Sequence, residues 1–219
     1  MNLSRRELLG MAGAAAVGAG LLALPSGKKA WAATTPRDLI REDYLPNTLL
    51  TTHEGEQVRF YDDLIKDKFV TINMVYTSCK MTCPLVTANL VRVQKLLADR
   101  VGRDLFMYSI TIDPKRDTPK VLKKYAKTHG VGKGWQFLTG KPDDIENLRI
   151  KLGFKWADPV RDANKDFHTG NLRYGNEPLM LWGMVPGIAN PSWVAKCILF
   201  ADQPKTAQAI QLDCCTKKA

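Results

Sequence analysis

The chain has 219 residues, 45% hydrophobic and 25% charged, enough apolar side chain for one sizeable core. Collagen-like, low-complexity and wholly disordered classes are thereby excluded. Lys and Arg number 32 against 22 Asp and Glu, a net charge of +10 that invites an anionic partner, and five cysteines suffice for one redox or metal site but not for a disulfide framework.

In chain order, the sequence opens with Arg5-Arg6, an Ala- and Gly-rich apolar run from Leu8 to Leu24, and Ala30-Trp31-Ala32 as a cleavage-type end. This pattern predicts a twin-arginine export signal over residues 1–32, in preference to an uncleaved membrane anchor. No cysteine precedes Cys79, so nothing here invites lipid attachment. Export takes the protein away from nucleic acid, and no basic stripe with interleaved aromatics argues otherwise. The surplus of positive charge then suits a membrane surface or an acidic protein partner, or is simply a solvated face.

Residues 33–48 read as a polar lead-in. Leu49 to Phe60 predicts a hairpin turning at Glu54-Gly55, and Phe69–Tyr76 a buried strand. A loop over 77–82 carries two cysteines, and Pro84 suits the first turn of a helix burying Leu85, Leu90, Val93, Leu96 and Leu97. A strand over Leu105–Ile112, a helix from Pro119 to Thr128 capped by Asp117, a short strand at Gln136–Leu138 and a helix over Pro142–Leu152 follow. Residues 153–175 read as a long polar loop, long enough to suggest function. Leu179–Val185 and Ala195–Phe200 are predicted strands, and Gln203 to Asp213 a final helix before a basic tail at 214–219. The order describes a single α/β domain over 49–213, with a mixed sheet flanked by helices and an N-terminal β-hairpin extension.

The chemistry centres on Thr77-Ser78-Cys79-Lys80-Met81-Thr82-Cys83-Pro84. The start of a helix offers unpaired N–H donors and a partial positive charge, which favour a thiolate and lower its pKa. Two such sulfurs can close into a disulfide and exchange electrons, or jointly hold a soft ion such as Cu(I). The spacing of three intervening residues does not decide between these.

Taken together, Cys79-x-x-x-Cys83-Pro84 after an apolar strand, Asp113-Pro114-Lys115-Arg116-Asp117-Thr118-Pro119 and Phe137-Leu138-Thr139-Gly140 resemble the SCO/SenC family of copper-binding, thioredoxin-fold assembly factors. The resemblance runs from about Leu49 to Gly153. It implies a thioredoxin-like fold and a copper site built from Cys79, Cys83 and a downstream histidine. It also implies delivery of copper to a cytochrome c oxidase-type centre on a respiratory oxidase subunit. Three histidines are present. His53 in the hairpin and His129 at a helix end read as surface or capping residues. His168, in the polar loop, matches the family ligand. Metal–ligand bonds of about 2.0–2.3 Å would set such donor atoms roughly 3–4 Å apart.

Asp113 is expected to support the site by hydrogen-bonding a loop or ligand. Met81, between the cysteines, reads as a packing residue. Cys197, Cys214 and Cys215 do not map onto the family, and the two tail thiols are expected to lie outside the primary site. The resulting reading is a periplasmic copper metallochaperone, loaded with help from a thiol reductant. The alternative is a thiol–disulfide oxidoreductase using Cys79 and Cys83 as its catalytic pair without His168. A thiol peroxidase lacks a peroxide-binding motif here, and two thiolates with one imidazole do not make a blue-copper site.

Overall fold

A run of seven consecutive buried residues, Phe69–Val75, forms the middle strand of the molecule and dictates a sheet covered on both faces. The structure, a computed structural model, describes residues 35–165 and 168–202. The predicted export segment, the predicted final helix, Cys214 and Cys215 lie outside the described residues.

The elements are α1 (Pro36–Tyr44), β1 (Leu49–Thr52), β2 (Gln57–Arg59), a π-helical turn (Phe60–Ile65), β3 (Phe69–Val75), α2 (Thr82–Leu96), β4 (Leu105–Thr111), α3 (Pro119–Thr128), β5 (Trp135–Thr139), α4 (Pro142–Lys151), α5 (Pro159–Ala163), β6 (Asn171–Asn176), β7 (Leu181–Pro186) and α6 (Pro191–Phe200). They build a seven-stranded sheet in the order β2-β1-β5-β4-β3-β6-β7. Strands β3, β4 and β5 are parallel, as βαβ crossovers through α2 and α3 require. The hairpin β1–β2 adds antiparallel on one side and β6–β7 on the other. This is a mixed, thioredoxin-like α/β architecture with the N-terminal hairpin extending the sheet.

Alternation along β3 feeds two cores. Val70, Ile72 and Met74 join Leu50, Phe60, Ile65, Ile110, Leu138, Ile145 and Leu148 under α4 and the π-helical turn. On the other face, Phe69 and Val75 join Leu90, Val93, Leu122, Phe137, Val194 and Ile198 under α2, α3 and α6. Both Cys79 and Cys83 belong to this second core, at the end of β3.

Several expectations are corrected. Ala195–Phe200 is part of helix α6, not a strand: Asn190 Oδ1 accepts the N–H groups of Ser192 (2.9 Å) and Trp193 (3.3 Å), Pro191 opens the helix, and Val194 and Ile198 face inward one turn apart. Leu85 and Leu96 are 65% and 53% exposed, because the inward stripe of α2 runs through Cys83, Val86, Thr87, Leu90, Val93 and Gln94. The lead-in contains α1, started by a reciprocal Thr35–Asp38 capping box. The polar loop ends earlier than expected, since Asn171–Asn176 is strand β6. Its polar residues are tolerated because Tyr174 faces Gly183 and Trp182 faces Gly175 in the β6–β7 register, each ring occupying the space a Cβ would take.

Candidate metal and thiol site

The parallel strands β3 and β4 end side by side, and the loops after them meet. The loop after β3 is anchored by a carboxylate from the loop after β4. Asp117, fully buried, accepts Thr77 N (3.0 Å), Thr77 Oγ1 (2.5 Å) and Thr111 Oγ1 (2.6 Å). It does not cap α3. That role falls to Thr118, whose Oγ1 faces Val121 N at 3.4 Å, because the cap of a helix opened by Pro119 is the residue just before it. Asp117, expected to be the cap, is instead the anchor of the thiol loop.

With Thr77 fixed, the chain turns so that Cys79 N–H donates to Tyr76 O at 3.2 Å. No side chain caps α2 through its leading residue Met81. Instead Cys79 Sγ receives the Cys83 N–H at 3.4 Å. Burial works against ionising Cys79, but N–H groups of Cys83 and Met81 and the Tyr76 and Cys83 side chains favour the thiolate. The net effect holds its pKa below the ordinary thiol value. Cys83 goes the other way: burial, the neighbouring Cys79 and the Asp117 charge push its thiol well up, against a hydrogen bond from the Tyr76 backbone. Met81 is 72% exposed, so it is not the packing residue the sequence suggested.

His168 lies across from this pair. Its Nε2 is 3.1 Å from Cys83 Sγ, 85 positions away in sequence, and its ring meets Tyr76 edge-on at 5.3 Å between centroids. Its Nδ1 is 3.0 Å from the Lys165 carbonyl. A carbonyl only accepts, so Nδ1 carries a proton, and Nε2 is the ring nitrogen turned toward Cys83. Gly170 makes the approach work: a Cβ there would sit 2.9 Å from Thr82 Cγ2, on the first turn of α2.

Asp113 does not touch either sulfur; its Oδ1 pairs with Lys165 Nζ at 3.0 Å, on the segment leading to His168. His53 takes the Phe137 N–H on Nδ1 (3.1 Å) and faces Glu54, and His129 packs on Tyr125 with Nδ1 2.9 Å from the Tyr125 carbonyl. His129 sits at the end of α3, as expected, whereas His53 is neither on open surface nor a cap and ties the hairpin to β5. Cys197 is a separate, partly buried thiol on α6. Among the described residues no group of three or more His, Cys, Asp or Glu side chains is placed to hold a metal ion. The structure brings together a thiol–imidazole pair with a second thiol beside it.

The fold and this constellation define a thioredoxin-like domain whose strand-end loop presents two unequal thiols to a histidine. The SCO1/SenC family model matches residues 38–172, and the chain belongs to that family. A SCO1 protein homolog of Bacillus subtilis is 33% identical over 90 residues, 40% of this chain and 46% of that protein. The chain thus matches about half the length of that curated relative. Among solved structures, Arabidopsis thaliana ScoI with copper bound superimposes with a TM-score of 0.57 at 17% identity, covering 70% of this chain and 94% of that one. BsSco, described as carrying a disulfide switch and as a member of a family of cytochrome c oxidase assembly proteins, gives a TM-score of 0.57 at 23% identity, covering 70% and 90%.

Proposed function

We propose that this protein is an exported copper metallochaperone. It carries copper on the Cys79 and Cys83 thiolates and the His168 imidazole and hands it to the copper centre of a respiratory oxidase. The observation that supports this most directly is the 3.1 Å contact between Cys83 Sγ and His168 Nε2, with Nδ1 held by a backbone carbonyl. Fixing one ring nitrogen on a carbonyl and aiming the other at a sulfur is how proteins orient a ligating histidine. Two sulfurs and one imidazole suit a soft monovalent ion. Both thiols must lose their protons to bind it, so uptake releases protons and weakens as pH falls. Delivery is ligand exchange: incoming donors displace these three in turn.

The experiment is copper titration of purified protein, wild type beside His168→Ala, against a chromophoric Cu(I) chelator and by EPR after Cu(II) loading. Loss of about tenfold or more in affinity, with loss of nitrogen coupling, is expected. Equal affinity and unchanged spectra in the variant would overturn the His168 assignment.

The unequal thiols support a second reading as a thiol–disulfide oxidoreductase. The Cys79 thiolate attacks a target disulfide, expelling one target thiolate. Cys83 then loses its proton and attacks the Cys79 sulfur, expelling the second. The target ends as a dithiol and this protein as the Cys79–Cys83 disulfide, which an external thiol reductant must reduce before the next cycle. Both readings fit together in one protein, since a copper-accepting subunit needs its own cysteines reduced first.

On this reading the protein works in the periplasm, and Arg5-Arg6 send it there folded. Replacing both with Lys should leave it unprocessed in the cytoplasm. Unchanged export would instead favour the general secretory route. No helix among the described residues is long and apolar enough to cross a membrane.

A further inference from the structure

Between α4 and β6 the chain forms a strap, residues 155–165, that contributes little to either core. Its helix α5 has no buried residue. Open space lies on both sides of it. A cleft of about 420 Å³ between strap and body is lined by Ile112, Arg149, Trp156, Asp162 and His168. A second, of about 260 Å³, toward α2 and β7 is lined by Thr82, Trp156, Arg161, His168 and Ile188. With so little apolar contact, polar bonds hold the strap. Arg149 on α4, only 9% exposed, grips both oxygens of Asp162 at 2.8 and 2.7 Å. The same guanidinium donates to Phe154 O at 2.9 Å, and Asp162 Oδ1 accepts the Trp156 N–H at 2.7 Å. Phe154, where the strap begins, and Asp162 within it are therefore both tied to one buried cation. Downstream, Lys165 pairs with Asp113, and the Lys165 carbonyl receives both the His168 N–H (3.1 Å) and Nδ1 (3.0 Å).

We propose that Arg149 and Asp162 are positioning residues for His168: their forked ion pair latches the strap to the body and thereby holds the imidazole against Cys83. Cys79, in the loop after β3, and Cys83, on α2, are packed into the core and need no latch. The histidine follows the strap, bonded to the Lys165 carbonyl, with the Lys165–Asp113 pair beside it and the Arg149–Asp162 pair further upstream. A planar guanidinium matched to a carboxylate fixes direction as well as distance, which a point charge does not. The site thus has thiols held by the core and a histidine held by polar bonds. The inference rests on the reading of His168 as a copper donor.

The test is a double-mutant cycle with Asp162→Asn, which keeps the shape and the acceptor for Trp156 N–H but loses the charge and the fork. Glu146 still neutralises Arg149, at 2.7 Å, so the fold should survive. Arg149→Lys is the second variant, keeping the charge without the fork. Cu(I) affinity by chelator competition should fall about tenfold for Asp162→Asn, less for Arg149→Lys, and by nothing further when Asp162→Asn is added to His168→Ala. Without metal, the NMR cross-peaks between the Tyr76 and His168 rings should weaken in Asp162→Asn. An equal loss of affinity with and without His168 would mean general damage and overturn the proposal. So would unchanged affinity with the ring cross-peaks intact. If His168→Ala itself binds copper like wild type, the copper reading of His168 has failed. The metal-free cross-peaks then decide the latch alone: retained in Asp162→Asn, they overturn it.

Discussion

Cys79 and Cys83 differ by environment rather than by chemistry. They share a loop, but one sulfur receives N–H donors at the start of α2 while the other is buried deeper, at 8% and 2% exposure. Iodoacetamide should therefore alkylate Cys79 well before Cys83, and the Cys79 rate should stay high at pH values below the ordinary thiol range. Peptide mass spectrometry after short labelling reads this directly, and equal labelling would contradict the assigned asymmetry. Asp117 is the residue on which the loop rests. Asp117→Ala strands Thr77 N, Thr77 Oγ1 and Thr111 Oγ1 in the interior and should cost about 3 kcal/mol in urea unfolding, since hydrogen bonds to buried charges are among the strongest single contributions. The cysteine pair and His168 were legible from residue type and motif. Asp117 was misread because Asp before Thr-Pro looks like a cap, and only the meeting of two strand ends gives its carboxylate three donors.

Among the elements, two short connections decide whether the histidine segment can lie against α2. A Cβ on Gly187 would come within 2.6 Å of Gly170 O and 2.9 Å of Val86 Cγ1. Gly187→Ala should thus push the β7 end away from α2 and cost about 1–3 kcal/mol by overpacking, read from the unfolding midpoint. Helix α6 depends on its cap, and Asn190→Ala should cost about 1 kcal/mol in the same measurement. Helix α6 also shows how local pattern misleads. The run Ala-Lys-Cys-Ile-Leu-Phe carries β-compatible residues without clear alternation, and a short apolar run of this kind fits strand or helix equally. The cap at Asn190-Pro191 was in the sequence and decides the matter. Strand β6 had no such signal: its Arg173 and Tyr174 are ordinary loop residues until Met184 and Gly183 of β7 pair with them.

At the scale of the whole molecule, buried ion pairs join distant segments. Glu177, 1% exposed, accepts Tyr61 OH and Asp67 N at 2.9 Å each and pairs with Arg37, tying α1 to the sheet. Burial pushes its pKa up, but these donors outweigh it and hold the carboxyl below the usual range. Asp162, held mainly by Arg149, sits at about 2. For carboxyls lowered by folding, the added stability is complete above the unfolded pKa near 4 and is lost as pH falls through the folded value. Urea unfolding should thus show stability constant above about pH 5 and declining from pH 4 to pH 2. Asp162→Asn should flatten that decline. An unchanged acid slope would mean that the Arg149 pair contributes no net stability.

What the sequence determined alone is whatever depends on neighbours in the chain: the parallel βαβ order, the buried central strand, the thiol loop at a helix start and the histidine placed in a polar stretch. Those follow from side-chain periodicity, turn residues and caps, which act over a few positions. What only the tertiary structure decided is which of those residues meet. The 3.1 Å contact of Cys83 with His168, the Asp117 anchor and the Arg149–Asp162 latch each join segments brought together by packing. Distance between remote residues is set by sheet order and by which glycines let two backbones touch, and neither is written in any local stretch of sequence.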